Sequence, residues 1–283
     1  MPLRPIVLLL ALSVSTSALA QRAEELRDVT SARAYGMGGA YRALGLGADA
    51  VLGNPAAMAL FPAYRVEGSG AWDVGMKEGF LGVSVVDAAT SRLAMGIDYH
   101  WVSLGRGGSR SSAHLSSLGV GLPLNQMLML GVVARYLRLS GQSRYVNSVT
   151  VDTGLLLRLS PMFMVGVSAH NLIDTDNEEL TRYFTAHMGV LTGQLTVAGD
   201  VRADLVTNDK TTLTYNGGLE YILGQVLPLR AGYTYDGFRE TSQLSTGIGF
   251  LTQQGGGLDL AYRHDLGGRK GRLLALTIRM QMN

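Results

Sequence analysis

The sequence predicts an all-β fold: a transmembrane antiparallel up-and-down β-barrel of about 14 strands with a short N-terminal segment inside the lumen. Three observations predict it. Period-two alternation runs from Tyr64 to the end of the chain. The connections between alternating segments fall into two classes that switch without a slip. The first twenty residues read as an export signal.

The signal comes first in the chain. Arg4 gives a weak basic start, Ile6 to Leu12 is apolar, and Ala18-Leu19-Ala20 is a small-residue cleavage site. The apolar run is short for a membrane span. No later stretch is long and apolar enough for a helical span, so a membrane crossing requires a closed barrel. The expected division is 1–20 signal peptide, 21–63 hatch or plug segment, and 64–283 barrel.

Residues 21–63 do not alternate and are rich in small side chains. Asn54 is a good N-cap and Pro55 suits the first helical position, so a short helix is expected over Pro55–Leu60. Gly36, Gly38 and Gly39, next to Ala40, permit tight packing or positive φ. A dinucleotide reading of Gly45-Leu46-Gly47-Ala48-Asp49-Ala50 lacks the preceding strand that gives such a motif meaning.

From Tyr64 the chain reads as strands. Leu93, Met95, Ile97, Tyr99 and Trp101 interleave with Arg92, Ala94, Gly96, Asp98 and His100. One face is greasy and the other small or polar, as when two faces meet different solvents. Such segments are expected near 64–72, 79–87, 91–103, 113–122, 127–139, 147–159, 162–171, 182–191, 194–205, 211–223, 227–235, 243–251, 257–264 and 272–282. Longer, charged connections such as Leu104–Ser112, Ser140–Val146 and Leu172–Thr181 alternate with shorter ones such as Ser160–Pro161 and Thr192–Gly193. Long outer loops and short periplasmic turns give that pattern. Trp72, Tyr99, Trp101, Tyr136, Tyr215, Tyr233, Tyr235 and Tyr262 fall at outer strand ends, and Tyr64, Phe163, Tyr221 and Phe250 at inner ends, as two interfacial girdles require. A soluble β-barrel shows the same alternation. The signal, the even strand count and the girdles favour the membrane.

The inward face is expected to carry Arg92, Arg135, Arg158, Arg202, Arg230, Arg263 and Arg279 against Asp98, Asp152, Asp200, Asp204, Glu220 and Asp259. The signs nearly balance, which points to mutual pairing in a filled lumen rather than a single-sign constriction. The 37 glycines among 283 residues nearly double the ~7% average, and many fall on inward positions, where they leave room for a plug.

Ala32-Arg33-x-x-Gly36-Met37-Gly38-Gly39-Ala40, followed by Asn54-Pro55-Ala56, resembles the N-terminal motif of the FadL-like outer-membrane superfamily, closest to its PorV/PorQ branch. Asp152-Thr153-Gly154-Leu155-Leu156 and Val165–Leu172 are similar to its mid-barrel strands. The resemblance implies a fourteen-stranded barrel whose hatch carries Asn54, Pro55 and Ala56. It implies passive movement of small hydrophobic compounds across the outer membrane, with gating near Gly36–Ala40 and Asn54–Ala56. The alternative it implies is a non-enzymatic, PorV-like barrel serving a secretion or cell-surface assembly. Two features depart from the fatty-acid transporters: the outer loops are short, and the last residues are Met280-Gln281-Met282-Asn283 rather than a terminal aromatic.

Other chemistry is absent from the pattern. With no cysteine there are no disulfides or thiolate sites, and the five histidines show no metal-ligand spacing. The acidic run Asp174–Glu179 lacks the central glycine of a calcium loop and reads as a solvated outer loop. No catalysis, cofactor or metal is expected. Net charge +2 argues against nucleic acid. Expected partners are outer-membrane lipids and lipopolysaccharide, the barrel-assembly machinery, and a hydrophobic ligand or a secretion-system protein.

Overall fold

Alternation of side-chain character forces every strand to show one face to each solvent, and the chain satisfies this by closing on itself. The computed structural model describes residues 29–106, 109–141, 144–173, 175, 180–206, 211–267 and 271–282. The expected signal peptide and all but residue 175 of the acidic run 174–179 lie outside them.

Fourteen antiparallel strands form one closed sheet in which each pairs with its neighbours in sequence and the first pairs with the last. They are β1 (Tyr64–Asp73), β2 (Glu78–Asp87), β3 (Ala94–Arg106), β4 (Ser109–Pro123), β5 (Leu128–Gly141), β6 (Arg144–Arg158) and β7 (Phe163–His170). The second half is β8 (Tyr183–Thr192), β9 (Leu195–Asp204), β10 (Thr212–Leu223), β11 (Leu227–Asp236), β12 (Thr241–Leu251), β13 (Gly256–Asp265) and β14 (Arg272–Met282). The seam runs without interruption from Tyr64 opposite Met282 to Asp73 opposite Leu273. Closure leaves no sheet edge, so ladder hydrogen bonds satisfy the backbone in hydrocarbon.

The apolar residues of the alternation point outward. Leu81, Ile97, Val132, Leu219, Leu260 and Ile278 are exposed, while their sequence neighbours are covered. All twelve girdle aromatics share that outward parity with exposed or half-exposed rings, Trp72, Trp101, Tyr215 and Phe250 among them. Phe163 is half-buried at the first position of β7. The Tyr99 hydroxyl lies 2.7 Å from His114 Nδ1, so the polar tip is satisfied at the rim of the apolar belt.

Two details differ from the sequence reading. The expected loops Leu104–Ser112 and Ser140–Val146 are mostly strand: β3 pairs with β4 to Arg106–Ser109, and β5 with β6 to Gly141–Arg144. Beyond the hydrocarbon the outward side chains turn polar, so alternation fades while pairing continues. Of the connections at this end, 171–182 and 205–211 are the longest. Arg92 precedes β3 instead of facing the lumen. It is exposed and donates from Nη2 to the carbonyls of Pro123 (3.2 Å) and Leu124 (3.1 Å) on the next turn.

The hydrophobic core is the lumen itself. Residues 29–63 fill it as α1 (Ala32–Gly36), a 3-10 turn at Arg42–Leu44, α2 (Ala48–Gly53) and a 3-10 turn at Pro55–Ala59. Neither α-helix was anticipated, and Pro55–Ala59 is a 3-10 turn rather than an α-helix. Inward glycines make the fit. A Cβ on Gly131 would strike the Pro55–Ala56 backbone, and one on Gly232 or Gly218 the backbone at Met37–Gly38. Met58 packs against Gly96, Gly119 and Gly121. Burying such a side chain stabilises the plug by about 1.5–3 kcal/mol.

Candidate functional site

The site is the junction between plug and wall. Ser31 begins it as the N-cap of α1, its Oγ accepting from Ala34 N at 3.2 Å. The same hydroxyl donates to Asp49 Oδ2 (2.8 Å), while Ser31 N (3.1 Å) and Thr30 Oγ1 (2.8 Å) donate to Asp49 Oδ1. One buried carboxylate thus ties the start of α1 to α2. Ala32 N donates to Thr277 Oγ1 on β14 at 2.8 Å.

Helix α1 carries a buried cation, and the wall supplies its counter-charge. Arg33 donates from Nε (3.2 Å) and Nη2 (3.0 Å) to the two oxygens of Glu220 on β10. Burial works against the charge on Arg33, yet Glu220 holds its guanidinium above the ordinary arginine range. Arg230 Nε reaches Glu220 Oε2 at 2.6 Å, and Arg230 Nη1 reaches Asp259 at 2.7 Å. Arg279 also pairs with Asp259, at 3.1 Å. The chain Arg33–Glu220–Arg230–Asp259–Arg279 alternates in sign across β10, β11, β13 and β14.

The α1 exit needs glycine. Gly38 and Gly39 have φ of +63° and +77°, and a Cβ on Gly38 would meet Tyr233 N and Gly217 O. Thr234 Oγ1 donates to Gly38 O at 2.7 Å. Gly36 packs directly on Gly247. Ala40 is buried beside Met37 and Ala198. A second cation follows: Arg42 Nη1 donates to Asp200 Oδ2 at 3.0 Å, and the Tyr41 and Arg42 amides donate to the same oxygen. Burial opposes this charge too, but Tyr41 and Asp200 raise the Arg42 pKa above its usual value.

Asn54 closes the plug. Its Oδ1 accepts from Ala56 N at 3.2 Å, capping the turn that Pro55 starts. Its Nδ2 lies 2.8 Å from His187 Nε2 on β8. Ser168 Oγ on β7 donates to Gly53 O at 3.1 Å, and Arg158 Nη2 donates to Leu60 O at 2.6 Å.

The remaining lumen charges are also engaged. Arg135 Nη2 donates to Asp152 Oδ2 at 2.5 Å, Asp152 also lies 3.2 Å from His170 Nδ1, and Asp98 lies 2.8 Å from His100 Nδ1. Arg202 stacks on Tyr183 and Arg263 on Tyr35. Asp204 accepts from Val206 N at the end of β9. Of the charges expected to face inward, only Arg92 lies on the rim. The sequence reading missed the plug's own partners Arg33, Arg42 and Asp49, and the wall residues Ser168, His187 and Glu67, whose Oε2 accepts from Ala48 N of α2 at 2.9 Å. Their signal was isolated charge within a run of small residues: a charge destined for a lumen must be paired there.

Among the cavities around α1, one lies toward each mouth of the barrel. Toward the ends of β1 and β2, a cavity of about 80 Å³ has Val29, Tyr35, Phe80, Val102 and Leu273 among its lining, with Asp73, Glu78 and Arg239 also around it. At the opposite end, a cavity of about 430 Å³ is lined by Arg33, Leu44, Phe61, Leu191, Ile222 and Arg279, among others. Tyr35 lines the first and Arg33 the second, so one helical turn separates them. No cluster of His, Asp and Glu suited to a metal ion occurs among the described residues.

A closed fourteen-stranded barrel with its N-terminal segment folded in the lumen is the class these observations define. No protein-family model and no curated protein sequence matches the chain. Solved structures of similar fold include the Ralstonia pickettii toluene transporter TbuX, at 14% identity and TM-score 0.71, covering 90% of this chain and 98% of that one. The CymD monoaromatic hydrocarbon channel has 14% identity and TM-score 0.68, with 88% and 96% covered. A Pseudomonas aeruginosa FadL homologue has 12% identity and TM-score 0.66, with 89% and 97% covered. At these identities the likeness is one of fold.

Proposed function

We propose that the protein is an outer-membrane barrel that lets small hydrophobic compounds pass, without catalysis or cofactor, when its hatch moves. The observation that carries this reading is the pair of cavities separated by α1. The smaller joins apolar side chains such as Val29, Phe80 and Val102 to a charged mouth that includes Arg263 and Asp265. The larger opens at the turn end, taken as periplasmic. Displacement of α1 with its Gly36–Ala40 exit would join them, with Asn54–Ala56 as the second fixed point. The fold shared with hydrocarbon channels supports the reading.

The test is influx of toluene and of a short-chain alkane into proteoliposomes, against protein-free vesicles of equal lipid content. Influx above the protein-free rate supports passage, and equal rates refute it. A second reading, a PorV-like barrel that docks a secretion or surface assembly, is favoured by one observation: β3–β6 pair on past their expected ends and build a raised wall at the loop end. Crosslinking in cells followed by co-purification separates the two. On either reading the lipid-facing belt meets outer-membrane lipid and lipopolysaccharide, and the barrel-assembly machinery inserts the chain.

A further inference from the structure

Gly53 and Asn54 are held from the wall by two side chains on adjacent strands, Ser168 on β7 and His187 on β8. Hydrogen-bond accounting fixes the state of His187. Ala56 N is a backbone donor and lies 3.2 Å from Asn54 Oδ1, so the amide oxygen faces the turn and the NH2 faces the imidazole. Asn54 Nδ2 therefore donates, and His187 Nε2 must accept at 2.8 Å. The ring is neutral, with its proton on Nδ1.

There is no slack around this contact. Asn54 is fully buried and His187 nearly so. A Cβ on Gly154 would meet Asn54 Oδ1, and one on Gly166 would meet His187 Nε2. The glycines of β6 and β7 thus close both sides of the pair. Protonating Nε2 would set two donors against each other where water cannot intervene. Turning the Asn54 amide over would satisfy the imidazolium, but it would place an NH2 against Ala56 N–H and remove the cap.

None of the charged groups around the ring is hydrogen-bonded to it, and His187 Nδ1 has no partner among the described residues. Arg42 comes from the plug, and its charge acts on His187. Across β9 the register partner is Asp200, whose Oδ2 accepts from Arg42 and whose Oδ1 makes no hydrogen bond, to the ring or to any other described group. On β7 stands His170, 3.2 Å from Asp152, and Asp152 of β6 is engaged by Arg135 of β5.

We propose that His187 is a proton-sensitive latch: neutral, it holds Asn54 and the Pro55–Ala59 turn against β6–β8, and protonated, it releases them. This goes beyond the passage reading and does not depend on what, if anything, crosses.

The chain lacks cysteine, so a single introduced thiol is a unique reporter. Ala57→Cys lies in the turn, and Ser91→Cys is an exposed control. The measurement is the maleimide labelling rate of Ala57→Cys, divided by that of Ser91→Cys at each pH, in proteoliposomes from pH 8 to pH 5. The expected result is a ratio that rises about tenfold on acidification, as loss of one buried hydrogen bond gives. In His187→Gln the amide oxygen still accepts and does not titrate, so the ratio stays low throughout. In Asn54→Asp a carboxylate faces the imidazolium, so the dependence reverses and protection is greatest in acid. A flat wild-type ratio overturns the proposal, as does an acid rise of equal size in His187→Gln. If His187→Gln does not assemble, the sign of the Asn54→Asp profile decides alone.

Discussion

Replacing Arg33 with methionine removes the plug's charge from its bidentate partner while keeping most of the side-chain volume. The two contacts to Glu220, at 3.2 and 3.0 Å, are buried and charge-assisted. Such bonds contribute about 1.5–3 kcal/mol each, and removing one member of a buried pair costs about 3–5 kcal/mol. Glu220 keeps Arg230 at 2.6 Å, so its charge is not left alone, and the lower end applies. A loss of about 3 kcal/mol raises the displaced population of α1 roughly 150-fold. Hydrogen exchange read by mass spectrometry reports this without any assumption about transport. Peptides spanning residues 31–39 are expected to lose about two decades of protection, while strand peptides of β3–β6 keep theirs. Unchanged protection in 31–39, or equal loss in the strands, would refute the assignment of Arg33 as the tether of α1. The double variant Arg33→Met with Glu220→Gln should not recover the loss, because the carboxylate still serves the buried Arg230.

Gly131→Val is expected to lower the urea midpoint of the barrel, since the new Cβ falls on the Pro55–Ala56 backbone, whereas Gly68→Val, with nothing within 4 Å, should leave it unchanged. Ile97→Arg, on the lipid face, should cost about 2–4 kcal/mol in a urea titration carried out in liposomes. Asp259→Asn weakens the partner of both Arg230 and Arg279, and should raise hydrogen exchange along β13 and β14 before it affects β5 and β6.

The barrel was legible because a period of two cannot slip: one missed residue would turn a whole strand's apolar set into the lumen. Every segment from β1 to β14 was readable on that ground. What failed lies where the two solvents no longer differ. At Ser111 and Ser112 both faces are polar, so a continuing ladder reads as loop. Arg92 kept the parity of β3 but precedes its first paired residue, and parity says nothing about where a ladder starts. The plug was harder. Five residues of α1 and six of α2 are too few for a helical period, and tertiary packing rather than propensity holds them. Its glycines and the Asn54 cap were visible in the chain. The pairing of Arg33 with Glu220, and of Asn54 with His187, spans 187 and 133 residues and needs the closed sheet.

The threaded course of residues 29–63 constrains the order of assembly. Val29 lies in the cavity at one mouth, and the segment leaves the lumen at the other mouth to become β1, one side of the seam with β14. Once ten residue pairs along that seam are zipped, the plug cannot be laid in from the side. Short of end-on threading through the mouth, it lies across the open sheet, on the glycines of β4, β5 and β6, when the first and last strands meet. The plug then acts as a mandrel on which the final circumference is wound, and a variant that cannot hold it should stall with the seam open.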